Sequence, residues 1–404
     1  MHKTEGANHS SNEFTDGPPG TRLEEDWCNA IQNEVVNVVE GAGLVLKTAT
    51  SETGDQLLAA IRALCVEPDE ILGKNALING DFRVNQRLAT YEAGNNDDDM
   101  YVLDRWILLS NGNDVVDVTQ ATDVPTGALN SIGLDVEDAN LKFGILQVIE
   151  QKNCQHMIGG NVSLSFQARV SDITKLDNIK AAVISWDGAA DTVTSDVVNA
   201  WNAEDTNPTL EANWTYEHTP VNLNVTASWA KFTIPNIAID TATTTNIGVL
   251  IWSDVTDTTA GHFLYITQVQ LEKNAVSSEY DWRSIGNEEI LCQRYYCNSY
   301  STMGTDFPGD AVTNGEMTIH LTAVNDADHE IFLQVRFPVS MRNEPTVTIY
   351  DEAGNIGKVT MAAGDNIAGA ANQIGDGGFL ATGTNGIGSV NRTLQAHYTA
   401  EIEL

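Results

Sequence analysis

Two groups of side chains in this 404-residue chain have the types and spacing to hold a ligand. Asp97, Asp98 and Asp99, followed by Asp104, form its densest acidic cluster. Adjacent carboxylates repel one another, and either solvent or a hard cation with oxygen ligands relieves that repulsion. The spacing lacks the alternating ligands of an EF-hand loop, so a solvated loop and a calcium site are the two readings. Trp201, Trp214 and Tyr216 form the second group, in a long polar segment. The C–H face of a pyranose ring stacks on such aromatic planes while Asp, Asn and Gln take its hydroxyls. The competing reading is that these rings plug the edge of a sandwich. Trp106, Trp186, Trp229 and Trp252 fall within strand patterns instead and are expected in cores. Catalytic patterns are missing: there is no GxSxG, HExxH, Walker loop or Rossmann glycine run. His218 and His262 read as ordinary surface or core residues, and no carboxylate pair stands out as a glycosidase couple. The expectation is therefore a protein that binds and does not catalyse.

The elements that must position these groups are mostly strands. Phe263, Tyr265, Thr267, Val269 and Leu271 alternate with Leu264, Ile266, Gln268, Gln270 and Glu272, and Val162, Leu164, Phe166, Ala168 and Val170 alternate with polar neighbours. Further strands are expected near residues 102–109, 115–120, 144–151, 179–186, 229–234 and 247–253. About ten short strands without intervening helices imply a two-sheet jelly roll whose first and last segments meet. The longest interruption, residues 187–220, exceeds a hairpin turn and is expected to project as a loop or small excursion. After residue 300 the alternation restarts, with Met317, Ile319 and Leu321, then Ile331, Leu333, Val335 and Phe337, which predicts a second, smaller β-sandwich.

The first 22 residues are polar and aperiodic and contain Gly17-Pro18-Pro19-Gly20. From Leu23 onward Trp27, Ile31, Val35, Val38 and Val39 recur at helical spacing, with Gly41 and Gly43 as a stop. Leu57, Leu58 and Ile61 mark a second helix behind a capping box at Thr53 and Gln56. Two such helices bury too little surface to stand alone and need a partner. The expected organisation is a flexible tail at 1–22, a helical segment at 23–73, a jelly roll at 74–300 and a distal sandwich at 301–404. The fold class is mainly β.

Charge narrows the partners. Fifty-six acidic against 21 basic residues give a net charge of −35, which disfavours unassisted binding to nucleic acid or an anionic bilayer. Aspartate is spread along the whole chain, so the acidity belongs to folded surfaces, serving solubility, high-salt life or divalent-cation binding. The five cysteines form no CxxC pair, and free, mostly buried thiols are expected. No apolar leader or stretch of membrane-spanning length occurs, so neither secretion nor membrane insertion is expected.

Four segments follow one another in the chain: LINGDF at 77–82, Tyr101-x-x-Asp104-Arg105-Trp106, VQLE at 269–272 and CQRYY at 292–296. In this order they resemble a family of tail-fibre and virion appendage proteins of tailed viruses. VSLSFQARV, SWAKFTIPN and YITQVQLE are similar to the strands of that family's carbohydrate-binding-module-like sandwich, and VRFPVSMRNEPTVTI with YTAEIEL resembles its distal domain. The resemblance implies a noncatalytic structural protein on the virion that binds host surface glycans. It also implies a homotrimer, joined to other virion structural proteins through the helices bearing Trp27, Ile31, Val35, Val38, Leu57, Leu58 and Ile61. Related sugar-binding sandwiches commonly hold a structural calcium near their first and last strands. Arg83, beside Asp81, and Gln268 in the closing strand depart from that pattern.

Overall fold

The computed structural model describes residues 9–10, 13–14, 25–41, 57, 60–61, 74–241, 243–300, 305–321, 329–361, 365–385 and 392–404. The chain divides into two compact units, Met1–Leu72 and Gly73–Leu404. Among the described residues, no helix is long and apolar enough to cross a membrane.

In the first unit a helix spans Glu25–Gly41, beside the short antiparallel pair His9–Ser10 and Glu13–Phe14. Its buried positions are Gln32, Val36 and Val39, at the i, i+4, i+7 spacing of one helix face. Val39 is buried as expected, while Val35 and Val38 flank that stripe half-buried and Ile31 is exposed, so the buried face is turned one residue from the Trp27–Ile31–Val35–Val38 line. Leu57 is half-buried and Ile61 exposed. Leu58, Cys65 and the Trp27 side chain lie outside the described residues.

The second unit is built of strands, as the alternation predicts. One six-stranded antiparallel sheet runs, in order, Ala230–Ala238, Asn161–Val170, Phe263–Glu272, Ser131–Val136, Val116–Ala121 and Thr90–Tyr91. The other runs Trp214–Tyr216, Ile179–Trp186, Asn246–Ser253, Phe143–Ile149, Ile107–Ser110 and Met100–Tyr101. Between them lies the main core, with Leu164, Phe166, Ala168, Leu264 and Ile266 from the first sheet and Ile145, Val183, Val249 and Ile251 from the second. The chain ends of the sandwich meet as expected: Ala76 N–H donates to the Leu271 carbonyl and Val269 N–H to that of Gly80 (both within 2.9 Å). Gly80 is required there, because a Cβ would sit 2.1 Å from the Val269 oxygen.

Two local expectations are corrected. The alternation of Phe263–Glu272 breaks at Gln268, whose φ of 54° and register shift make it a bulge. Leu264 and Ile266 face the core before it, Val269 and Leu271 after it. The 187–220 segment does not project. Val193, Val197 and Trp214 pack onto the outer face of the second sheet against Ile107, Leu109, Leu146, Leu250 and Trp252, forming a second core. The helix Ile285–Gln293 contributes Cys292 to the same core. That helix has almost no amphipathic pattern; its sequence signal is Ser284, whose side chain accepts the Asn287 N–H. Cys154, Cys292 and Cys297 are buried free thiols, and Cys28 is a half-buried one.

The distal strands Tyr296–Asn298, Met317–Leu321, His329–Arg336, Thr346–Tyr350, Lys358–Met361, Asp365–Gly375 and Gly378–Asn385 are organised around Arg392–Glu401. The first half of that last strand pairs with 317–321 and 358–361, and its second half with 296–298 and 346–350. It thereby links the layers around a third core of Ile331, Val335, Phe379, Leu394 and Tyr398.

Residues 401–404 return to the jelly roll. Arg87 holds Glu401 at 2.8 Å and Glu403 at 2.7 Å, Arg105 grips the other Glu403 oxygen, and the Tyr101 hydroxyl donates to the Leu404 carbonyl at 2.6 Å. Glu403 and Arg105 are 5% and 2% exposed, so removing the carboxylate strands buried charge. Glu403→Ala is expected to lower the unfolding free energy of the chain by about 3 kcal/mol or more, read as a lower urea midpoint; a midpoint within error of the parent would refute this role.

Candidate functional site

The two outer faces of the sandwich differ. That of the second sheet is sealed by the 187–220 segment, Tyr295 and Leu404. One end of the first sheet's outer face is also plugged: Glu272 accepts the Ser278 N–H and hydroxyl, and the Gln270 side chain bonds back to Ser278 and Glu279. The other end carries half-buried aromatic and polar side chains that belong to no core.

This open end is built from facing strand positions. Tyr265 stands between Arg169 and Gly133 across the sheet, and Phe263 opposes Asp135. Gly133 matters because a Cβ there would lie 3.2 Å from Tyr265 Cε1 and 3.1 Å from Thr119 Oγ1, so its absence leaves room for the ring. Phe263 and Tyr265 are stacked, with centroids 5.3 Å apart and planes 4° apart, and Trp229 lies 6.4 Å beyond Tyr265. The Arg169 guanidinium sits 5.3 Å from the Tyr265 ring centre. Asp123 fixes the group by accepting from Trp229 Nε1 at 2.9 Å and pairing with Arg169 at 3.1 Å. Beside the stack, Gln167 Nε2 donates to Gln268 Oε1 at 2.6 Å, a contact created by the bulge. Burial, then Asp123, raises the Tyr265 phenol above its ordinary range, so it stays a neutral hydroxyl. Flat apolar rings bordered by a guanidinium, a carboxylate and amides are what a sugar's C–H face and hydroxyls require. Asp123 is already tied to two donors and serves as a positioned acceptor.

The structure places the predicted aromatics elsewhere. Trp214 is 5% exposed, in an edge strand, 5.4 Å from Trp186, and presents no face to a ligand. Trp201 and Tyr216 are half-buried against the same second core, with the Tyr216 hydroxyl donating to the Pro208 carbonyl at 2.9 Å. Their polar surroundings suggested a loop, but packing onto the second sheet decided their burial. Trp106 and Trp252 are core residues as expected, whereas Trp229, also expected in a core, borders the open face. The sequence signal for the open-face aromatics was Phe263 and Tyr265 two apart in a strand with Trp229 just before another.

Asp97, Asp98 and Asp99 do not converge on a common point as calcium ligands. Asp98 instead accepts the Ser110 and Asp99 N–H groups, at 2.6 and 3.1 Å, and closes a turn. Among the described residues no group of three or more His, Cys, Asp or Glu side chains is arranged to hold a metal ion. Asp104 is buried, bonded to the Gln86 backbone and side chain at 2.7 Å, and raised to about 6 by burial.

Burial, then Asp98 and Asp196, push Asp99 up to about 7. A carboxyl raised in the fold above its unfolded value binds its proton more tightly when folded, so stability falls as pH rises between the two values. Asp99→Asn, which keeps a residue tolerant of φ 64°, is expected to raise the unfolding free energy by up to about 1 kcal/mol near pH 8, after solvent screening, and by nothing near pH 3. Urea titrations at the two pH values check this; an equal effect at both would refute it.

No protein-family model matches the chain, nor does any curated protein. Among solved structures it is similar to the enzymatically active domain of tailspike protein 4 of bacteriophage CBA120, at 16% identity and a TM-score of 0.29, over 49% of this chain and 21% of that one. It is similar as well to a xylan-binding domain of carbohydrate-binding module family 22, at 10% identity and a TM-score of 0.28, over 46% of this chain and 97% of that one. The C-terminal family 22 module of Clostridium thermocellum Xyn10B gives 11% identity and a TM-score of 0.29, over 45% and 94%. The match spans about a fifth of the tailspike chain. The functional reading therefore rests on the geometry of the open face.

Proposed function

We propose that this chain is a noncatalytic appendage of a tailed-virus particle that attaches to host surface glycans through the open face of its first sheet. The observation that carries the binding part is the Phe263–Tyr265 stack with Trp229, Arg169 and Asp123 around it. The virion part is supported by the four ordered segments, LINGDF, Tyr-x-x-Asp-Arg-Trp, VQLE and CQRYY. Residues 1–72 supply the attachment to other virion proteins, and a homotrimer presents three platforms. Several weak glycan contacts at high effective concentration then combine into lasting adhesion. No calcium enters this mechanism; the rings and polar side chains are the chain's own.

Tyr265→Ala and Phe263→Ala are each expected to weaken binding to the best ligand on a glycan array about tenfold, ~1.4 kcal/mol, with an unchanged urea midpoint. Undiminished binding would remove the platform from the function, and release of reducing ends from a polysaccharide would make the protein a depolymerase. Deleting residues 1–72 is expected to abolish incorporation into particles while residues 73–404 still fold and bind glycan. Normal incorporation of the shortened chain would overturn the anchoring role.

A further inference from the structure

The platform is electrically lopsided. At one end Arg169 is held by Asp123. At the other, Asp135 lies directly opposite Phe263 on one side and Asp117 on the other, a like-charge cross-strand pair. Such a pair is unfavourable unless something compensates it. Asp114 joins the group, because Asn96 Nδ2 donates to Asp114 at 2.9 Å and to Asp117 at 3.0 Å, an uncharged clip holding two carboxylates together. Glu92 and Glu137 are close enough for their charges to act on Asp117, and burial, then Glu137, lift Asp117 to about 6. Among the described residues no lysine or arginine forms an ion pair with any of these five acids. His262 is the one basic side chain acting on Asp135, and it faces Asp172 at 3.8 Å. The Asp135 Oδ1 atom is buried and accepts no hydrogen bond.

An aromatic stack edged by unpaired carboxylates is suited to a cation. The ring faces attract an ammonium through their quadrupoles, and the carboxylates of Asp135, Asp117 and Glu137 supply uncompensated negative charge beside them. Resting on the reading of this face as a glycan platform, we infer that it selects saccharides bearing free amino groups, with the sugar ring on Phe263 and Tyr265 and the ammonium toward Asp135, Asp117 and Glu137. Neutral N-acetylated sugars engage the rings alone. Anionic sugars are disfavoured by the same carboxylates.

The test is calorimetric titration of the full chain with β-1,4-linked glucosamine oligosaccharides and their N-acetylated counterparts. The free-amine series is expected to bind about tenfold more tightly at low salt, with the advantage shrinking as sodium chloride is added. Asp135→Asn, and separately the exposed Glu137→Gln, should each cut the advantage severalfold. Equal binding of the two series, or an advantage that survives both substitutions, overturns the inference while leaving the platform intact. Failure of both series, together with no effect of Tyr265→Ala on any glycan, would instead overturn the platform itself.

Discussion

The fold depends on where the charge of Arg105 goes. Its guanidinium is buried, with the Val148 carbonyl accepting from it at 2.8 Å and the Tyr295 ring 3.7 Å from its centre, and it is answered by Glu403 from the far end of the chain. Burial, the largest single influence, would drive such a group toward neutrality; the charge and hydrogen bond of Glu403 together with Tyr295 and Tyr101 outweigh it and hold the arginine charged. Arg87 repeats the arrangement, spanning Glu401 and Glu403 with the Tyr296 ring 4.0 Å away. Neither pair can form until the last distal strand has been laid down and its end has returned to the sandwich. The clamp thus makes the distal sheet and the jelly roll one cooperative body. It seats Leu404 in the second core and helps close the outer face of the second sheet.

That closure makes scaffold of the LINGDF and CQRYY segments. Asn79 of LINGDF donates to the Val84 and Asp104 carbonyls, its own carbonyl accepts from Trp106 Nε1, and Phe82 packs 5.2 Å from Trp106. Arg294 and Tyr295 of CQRYY converge on Glu150 at 2.9 Å. These are buried polar groups whose partners must all be present at once, so their identities and order are tightly constrained. The two-layer β architecture was legible from the alternation of apolar and polar residues in Val162–Val170, whereas Phe143–Ile149 and Asn246–Ser253 are buried along their whole length because both faces of the second sheet are covered.

The open aromatic face was not legible, and the cause is local. A single added residue at Gln268 reverses which side of the strand faces inward, so reading the alternation straight through 263–272 put Tyr265 in one row with Val269 and Leu271, which are core. Residues 187–220 misled in the opposite direction. Their composition is that of a loop, yet the second sheet offers them an apolar outer face, and tertiary burial overrides local polarity once Val193, Val197 and Trp214 can cover it. In the N-terminal helix, Gln32 rather than Ile31 lies on the buried side, a one-residue rotation that apolar periodicity alone does not fix.

The sealed face and the open face are consequences of one another. A two-sheet sandwich has two outer surfaces, and here the insertion, the helix Ile285–Gln293 and the returning chain end are all spent on the second sheet. On the first sheet the 273–281 segment covers only the end beyond the bulge, where Gln270 and Glu272 need partners. The strand positions before the bulge are left to solvent, and there the sequence places rings in place of the small and polar residues found at Ser163 and Ser165. Half-buried rings on a sheet surface pack on one another but contribute nothing to the cores. Gly133, whose missing side chain lets Tyr265 settle, is what allows this face to carry a ring there and ties the open aromatic surface to the backbone beneath it.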